Sequence, residues 1–321
     1  MAGHRRLSLD VGQFSDVGRQ RSHNEDWLGL FQPTDEQRID SKGSLFVVAD
    51  GMGGHQSGEM ASRIAVDRAI RAYVDDPASD VGASLRRAIE TANRALVTGS
   101  PGRGGSSQKR DWGTTMVAAV IHGDELWVAN VGDSRAYLLR DGRLRQISHD
   151  HSLAAGVGGG QIRGIGRHVI TRALGRKPEV EVDLFAPVGL RDGDRLLLCS
   201  DGLSGPVAEE EIGAIAGRFP VQRAVERLVR AANEKGGADN ISAILVEVVA
   251  GRPVSRGQAL QEFAETWLCP AVWQNALDAF ARSLPRGAES LRSPLVILLA
   301  ALAALLLIGL GVVVGLNLFG R

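Results

Sequence analysis

Cysteine is nearly missing from the 321 residues, with only Cys199 and Cys269 present. Two thiols in a chain this long do not make a disulfide framework, so the sequence reads as belonging to a reducing compartment. Cys199 lies in an apolar run, Leu196-Leu197-Leu198-Cys199, where a small buried hydrophobe is expected. Net charge is missing as well. Lysine plus arginine and aspartate plus glutamate each total 37. No positive field is available to hold a phosphate backbone, which excludes nucleic acid as the partner. His4, Arg5 and Arg6 are followed by no apolar stretch, so no signal peptide is expected. The apolar fraction of 44% and the charged fraction of 23% exclude a mostly disordered chain.

One long apolar run does occur, at residues 294–319, where Asn317 is the only strongly polar residue. It exceeds the roughly 20 residues that cross a bilayer core, and predicts a single transmembrane helix. Arg282, Arg286 and Arg292 precede it and only Arg321 follows, which places the N-terminal bulk in the cytoplasm of an inner (plasma) membrane protein. Gly311 and Gly315 form a small-residue pair able to seat a partner helix. Residues 251–293 read as a juxtamembrane linker, partly an amphipathic helix, with Leu260, Phe263 and Trp267 on one face and Pro270 interrupting the pattern.

Residues 1–250 read as one α+β domain. Short apolar runs bounded by turns recur at 45–49, 115–121, 126–131, 136–139, 195–199 and 241–249. Such closely spaced strands, joined by turns such as Asp141-Gly142, imply antiparallel sheets. Leu85, Ile89, Ala92 and Leu96 form one helical stripe. Val221, Val225, Leu228 and Ala232 form another, opened by Pro220 and closed by Gly236-Gly237. A third helix is expected from about Ser57 to Val74, with Ala61, Ala65 and Ala69 on one face. Residues 98–110 and the glycine-rich 154–166 read as a surface loop and a flap.

The acidic residues are placed unevenly. Asp141-Gly142 and Asp192-Gly193 lie among polar residues and are read as turns. Asp50-Gly51 and Asp201-Gly202 each end an apolar strand, which would bring a carboxylate to a sheet edge. Asp239 stands just before the strand at 241–249, and Asp133 just after the one at 126–131. Four carboxylates gathered at sheet ends repel one another unless a cation lies between them. All-oxygen donors suit magnesium or manganese rather than zinc. Two such ions activate water for attack at phosphorus, so the residues alone point to a metal-dependent phosphoester hydrolase.

Six segments in order resemble the signature series of type 2C serine/threonine protein phosphatases. They are Gly18 to Asp26 (GRQRSHNED), Ala49 to Gly54 (ADGMGG), Gly113-Thr114-Thr115, Gly132-Asp133-Ser134-Arg135, Ser200-Asp201-Gly202 and Gly237-Ala238-Asp239-Asn240. The resemblance covers roughly residues 10–249. It implies a four-layer α-β-β-α sandwich, two antiparallel sheets flanked by helices, with two Mn2+ or Mg2+ ions between the sheets. Asp50 resembles the ligand that bridges both ions, and Gly51 the one acting through its carbonyl. Asp201 and Asp239 match the other carboxylate ligands, and Glu25 a residue near the second ion. Asp133 matches a position that helps hold a third, weaker ion in bacterial members. Arg21 matches the guanidinium that clamps the substrate phosphate, and Asn24 and Asp26 match groups that orient water.

Met52 stands where eukaryotic members carry histidine, so the resemblance names no general acid. His149 and His151 are expected to hydrogen-bond at the base of the flap. The implied substrates are proteins phosphorylated on serine or threonine, and the implied partner is a membrane serine/threonine kinase. The rival reading is a membrane-anchored pseudophosphatase that binds phosphoproteins without turnover. Retention of Asp50, Asp201 and Asp239 weighs against it. A metal-dependent nuclease would need the basic face that this chain lacks.

Overall fold

The computed structural model describes residues 7–53, 56–99, 112–153 and 169–249. The chain divides into two compact units, Met1–Gly251 and Arg252–Arg321, and all described residues fall in the first. The expected linker at 251–293, the transmembrane run at 294–319 and the flap at 154–166 lie outside the described residues, as does the expected loop at 98–110 except for Thr98 and Gly99. Among the described residues no helix is long and apolar enough to cross a membrane.

The elements follow the chain as β1 (Ser8–Asp16), β2 (Asp26–Phe31), α1 (Glu36–Lys42), β3 (Ser44–Met52), α2 (Gln56–Asp75), α3 (Val81–Gly99), β4 (Gly113–Thr114), β5 (Met116–His122) and β6 (Glu125–Val131). They continue as β7 (Arg135–Arg140), β8 (Arg143–Gln146), β9 (Asp183–Gly189), β10 (Arg195–Cys199), α4 (Asp201–Ser204), α5 (Glu209–Arg218), α6 (Val221–Glu234) and β11 (Ile241–Val249). One antiparallel sheet has the order β1-β11-β10-β7-β8, and the other β2-β3-β5-β6-β9 with β4 paired to β3. The expected four-layer sandwich is what these elements build.

Alternation along the strands explains the layering, because successive side chains point to opposite faces. In β3, Leu45, Val47 and Ala49 join the core beneath α2 and α3, whereas Phe46 and Val48 join the core between the sheets. A third core lies between the other sheet and α5 and α6. Both faces of the central strands are therefore buried, which is why their sequences are continuous apolar runs. The stripes expected on α3 and α6 are the faces these helices bury. On α2 the small residues Ala61, Ala65 and Ala69 are buried against the sheet, where a larger side chain would hold the helix off.

Two local expectations are corrected. Asp50 does not end its strand: β3 continues through Gly51 to Met52, because β4 supplies pairing partners, with Gly51 opposite Thr114 and Met52 opposite Gly113. Asp201 does not hang from the end of β10; it is the first residue of α4. The Asp141-Gly142 turn joins β7 to β8 as expected, with φ of 51° and 73°. That left-handed pair is what a two-residue hairpin requires.

Candidate metal centre

Asp50 is fixed by backbone contacts on every side. It stands opposite Asp26 in the β2–β3 pairing. Its N–H donates to Thr115 Oγ1 at 3.0 Å, and its carbonyl accepts from Thr115 N at 2.9 Å and Thr114 Oγ1 at 2.8 Å. Thr115 Oγ1 also lies 2.8 Å from Ser134 Oγ, so one hydroxyl ties the Asp50 strand to the turn that carries Asp133.

Asp26 is held from the opposite sheet. Ser200 Oγ donates to Asp26 Oδ2 at 2.8 Å, and accepts from Ser242 N at 3.0 Å. Because Ser200 immediately precedes Asp201, this one hydrogen bond brings the start of α4 to the start of β2. Asn240, next to Asp239, closes the third side. Its amide donates to Val17 O at 2.9 Å and His23 O at 2.8 Å, and its Oδ1 accepts from Glu25 N at 2.8 Å. The 17–25 loop, with Arg21 and Glu25 on it, is thereby knotted to the start of β11.

Backbone packing around the centre leaves no room for side chains. A Cβ on Gly51 would lie 2.2 Å from Gly58 O, and one on Gly202 would lie 1.9 Å from Asn240 O. A Cβ on Gly58 would lie 2.0 Å from Glu25 Oε2, so the Glu25 carboxylate rests directly on the first turn of α2.

The charges confirm that these carboxylates share one site. Burial, then the charges of Asp26, Asp201, Asp239 and Asp133, push Asp50 well above the usual carboxylate range. Burial raises Asp26 to about 7 despite hydrogen bonds from Ser242 and Ser200, with Asp201 and Asp239 adding to the rise. Burial and the charge of Asp201 likewise raise Asp133 to about 7. Asp26 Oδ1 and Asp133 Oδ1 are buried with no hydrogen-bond partner. Arg21 is half exposed and donates from Nη2 to Asp239 Oδ2 at 2.7 Å. Burial works to lower its pKa, but the charge and hydrogen bond of Asp239, with Glu25 and Asp50 behind, raise it.

The structure thus brings Arg21, Glu25, Asp26, Asp50, Gly51, Asp133, Asp201 and Asp239 to one place. Among the described residues, no group of three or more Asp, Glu, His or Cys side chains is already gathered into a ligand shell. The carboxylates instead act on one another through charge. Buried, unpartnered carboxylate oxygens that are costly to ionise together, with no nitrogen or sulfur donor among them, fit a hard divalent cation such as manganese or magnesium. Six carboxylates supply more negative charge than one ion would offset.

Sequence reasoning missed the hydroxyls of Thr115, Ser134, Ser200 and Ser242, and the role of Gly58. Thr115, Ser134 and Ser200 were inside motifs, but nothing in the pattern says which carboxylate a hydroxyl will meet. Asn24, expected near the ions, commits its amide to Ser15 Oγ at 2.7 Å and its Oδ1 to Asp26 N at 3.2 Å. His151 does hydrogen-bond beside the flap's ends. Its Nδ1 accepts from Gly132 N at 3.0 Å, and its Nε2 lies 3.0 Å from Asp183 Oδ2. The His149 ring packs edge-on against Phe185, with ring centres 5.2 Å apart.

Comparison with known proteins agrees with this geometry. A family model described as Protein phosphatase 2C matches residues 19–246. A curated relative, the serine/threonine phosphatase stp of Listeria monocytogenes, is 37% identical over 245 residues, covering 73% of this chain and 93% of the relative. Among solved structures, the catalytic domain of the phosphatase PstP in complex with two manganese ions is 36% identical, with a TM-score of 0.65 over 76% of this chain and all of that one. PppA, a regulatory component of the type VI secretion system in Pseudomonas aeruginosa, is 30% identical, with a TM-score of 0.63 over 75% of this chain and 99% of that one.

Proposed function

The chain belongs to the protein phosphatase 2C family and is a metal-dependent serine/threonine protein phosphatase, and from that premise we propose that its carboxylates hold two manganese or magnesium ions where the two sheets meet. In this reading Asp50, the carbonyl of Gly51, Asp201 and Asp239 would hold the ions, Glu25 would act near the second, and Asp133 would help hold a third, weaker one. The observation that carries the reading is the juxtaposition of Asp26 opposite Asp50, with Ser200 tying Asp26 to the start of the helix at Asp201 and Asn240 tying Glu25 to the segment of Asp239.

Bound there, such a pair of ions lowers the pKa of water and offsets negative charge on the phosphoryl oxygens. The chain's residues do the rest. Arg21, which stays cationic beside three carboxylates, offers a planar fork to two phosphoryl oxygens at once, a geometry lysine lacks. Asp26 is held by Ser200 in one orientation, with its Oδ1 left to accept a proton or orient water. The hydrogen bonds from Asn240 keep the loop carrying Arg21 and Glu25 in register with Asp239.

The substrates are proteins phosphorylated on serine or threonine, and the partner we propose is a membrane serine/threonine kinase whose phosphorylation this enzyme reverses. The apolar run at 294–319, with arginines concentrated before it, supports a membrane anchor that keeps the catalytic domain in the cytoplasm. Two experiments test these statements. Phosphate release from a phosphothreonine peptide should require manganese, stop with chelator, and collapse in Asp201→Asn. Peptide binding without release in the manganese-loaded chain would sink the catalytic reading. Recovery of the full chain in the soluble fraction of a detergent-free lysate would sink the anchor.

A further inference from the structure

A cavity of about 680 Å³ opens beside the carboxylate centre, with Met52, Ala173, Arg176, Lys177 and Glu179 on its walls. It reaches the centre through strand pairing. Met52 follows Asp50-Gly51 and pairs with Gly113, and neighbouring Thr114 bridges to Leu174 through bonds of 3.2 and 2.9 Å. The loop that begins after Leu174 is therefore tied, two strands removed, to Asp50 itself.

That loop is held with unusual firmness. Asn93 on α3 is only 1% exposed and spends its whole amide on the loop backbone. Its Oδ1 accepts from Gly175 N at 2.8 Å, and its Nδ2 donates to Lys177 O at 3.0 Å and Pro178 O at 3.1 Å. Gly175 takes the left-handed φ of 84° that this path needs. A buried amide used in this way fixes the direction in which the loop's side chains leave, and those of Arg176 and Lys177 are exposed. The Arg176 stem passes over Gly113, since a Cβ there would lie 3.2 Å from Arg176 Nε. Arg176 thus stands on the side of the cavity near Gly113, the strand partner of Met52.

Among the described residues, the acidic side chains on the cavity's walls are Glu179 and Glu181. Glu181 accepts from Arg172 Nη2 at 2.8 Å. Glu179 and Val180 also line a second cavity of about 690 Å³ against α3, so Glu179 stands where the two cavities adjoin as one trough.

We propose that this trough is a subsite for the substrate segment flanking the phosphorylated residue, and that Arg176 and Lys177, on the loop pinned by Asn93, select an anionic side chain there. The inference rests on the phosphatase reading given above. The chemistry shared by the candidate ligands is negative charge within a few residues of the scissile phosphate, from aspartate, from glutamate or from a second phosphate. An exposed pairing of this kind is worth a preference of roughly two- to fivefold, and more for a doubly charged phosphate.

The test measures kcat/KM of the full chain in mild detergent with manganese, on matched phosphothreonine peptides. One peptide has neutral flanks, a set carries aspartate at each of the three positions on either side, and one carries a second phosphothreonine. Each variant is judged by its ratio of anionic to neutral peptide, so that loss of folded protein cancels. The parent is expected to favour at least one anionic peptide through KM, with the preference fading as salt is raised. Lys177→Glu should bring the ratio to one or below, Asn93→Ala should lower it, and Glu179→Lys should raise it. Preference for aspartate peptides identifies acidic sequence as the ligand, and preference confined to the doubly phosphorylated peptide identifies the second phosphate. A parent ratio of one at low salt, or a ratio unchanged in Lys177→Glu, overturns the subsite. A parent chain that fails to hydrolyse p-nitrophenyl phosphate, which is too small to reach the trough, overturns the phosphatase reading, and the subsite falls with it.

Discussion

Asp26 stands directly opposite Asp50 in the antiparallel pairing of β2 and β3, and both carboxylates are shielded from solvent enough to resist ionisation. Like charges facing each other across a ladder destabilise a sheet. Here Ser200 from the other sheet holds Asp26 in that position. The fold thus accepts electrostatic strain at the junction of its two sheets, which the proposed divalent cations would relieve.

Asp50→Asn separates the two consequences of that strain. At pH 8 and without metal, the variant is expected to be more stable than the parent by on the order of 1 kcal/mol, since one repelling charge is gone. Phosphate release with manganese should fall on the order of a hundredfold or more, because the negative charge proposed to bridge the ions is lost. Urea denaturation and a phosphopeptide assay read the two effects. A variant both less stable and fully active would contradict the assignment.

The pH dependence follows from the raised carboxylates. Asp26 and Asp133 have folded pKa values of about 7 against an ordinary value of 3.8, so the metal-free fold binds more protons than the unfolded chain between those limits. Their contribution to stability is fully present below about pH 4, is lost as pH rises through about 7, and is level above that. Manganese competes with those protons. Its stabilising effect on Tm should therefore be larger at pH 8 than at pH 5, as thermal melts with and without the ion would show.

Gly58→Ala places a methyl group where Glu25 Oε2 now lies. The backbone of α2 tolerates alanine, so the circular dichroism spectrum should be unchanged. The displaced Glu25 should raise the manganese concentration for half-maximal activity by roughly tenfold, the usual scale for disturbing groups around a metal site.

Asn240→Ala removes three hydrogen bonds, one buried and two partly buried, that join the 17–25 loop to the start of β11. Roughly 2–4 kcal/mol of stability should go with them, because Glu25 N and two carbonyls lose their partner. Urea denaturation measures the loss, and a change under 1 kcal/mol would show that the loop is held by something else.

The central strands were legible because both of their faces are buried, so β3, β5, β10 and β11 announce themselves as apolar runs. The edge strand β1 was not. Leu7, Leu9 and Val11 alternate with Ser8, Asp10 and Gly12 and pack on the core between the sheets, but the alternation is short and breaks at Gln13, and β11 pairs with the strand along its whole length. β2 was hidden by Gly29, and β9 by the exposed Ala186 and Pro187. Helix α1 is seven residues with a buried lysine, and is marked only by its Asp35 cap. Asp50, Asp133, Asp201 and Asp239 were legible because each borders an apolar run, whereas Glu25 and Asp26 were marked only by the family resemblance. The hydroxyl partners were not legible, because Ser200 and Asp26 stand 174 positions apart in the chain.

The most direct test of the dinuclear centre is a count of bound manganese on the purified full chain, by calorimetric titration and elemental analysis. Two tight ions per chain are expected for the parent, both lost in Asp50→Asn and both retained in Asp133→Asn. An absence of saturable binding in the parent, or an Asp50→Asn chain that still binds two ions, would contradict a metal pair bridged by Asp50.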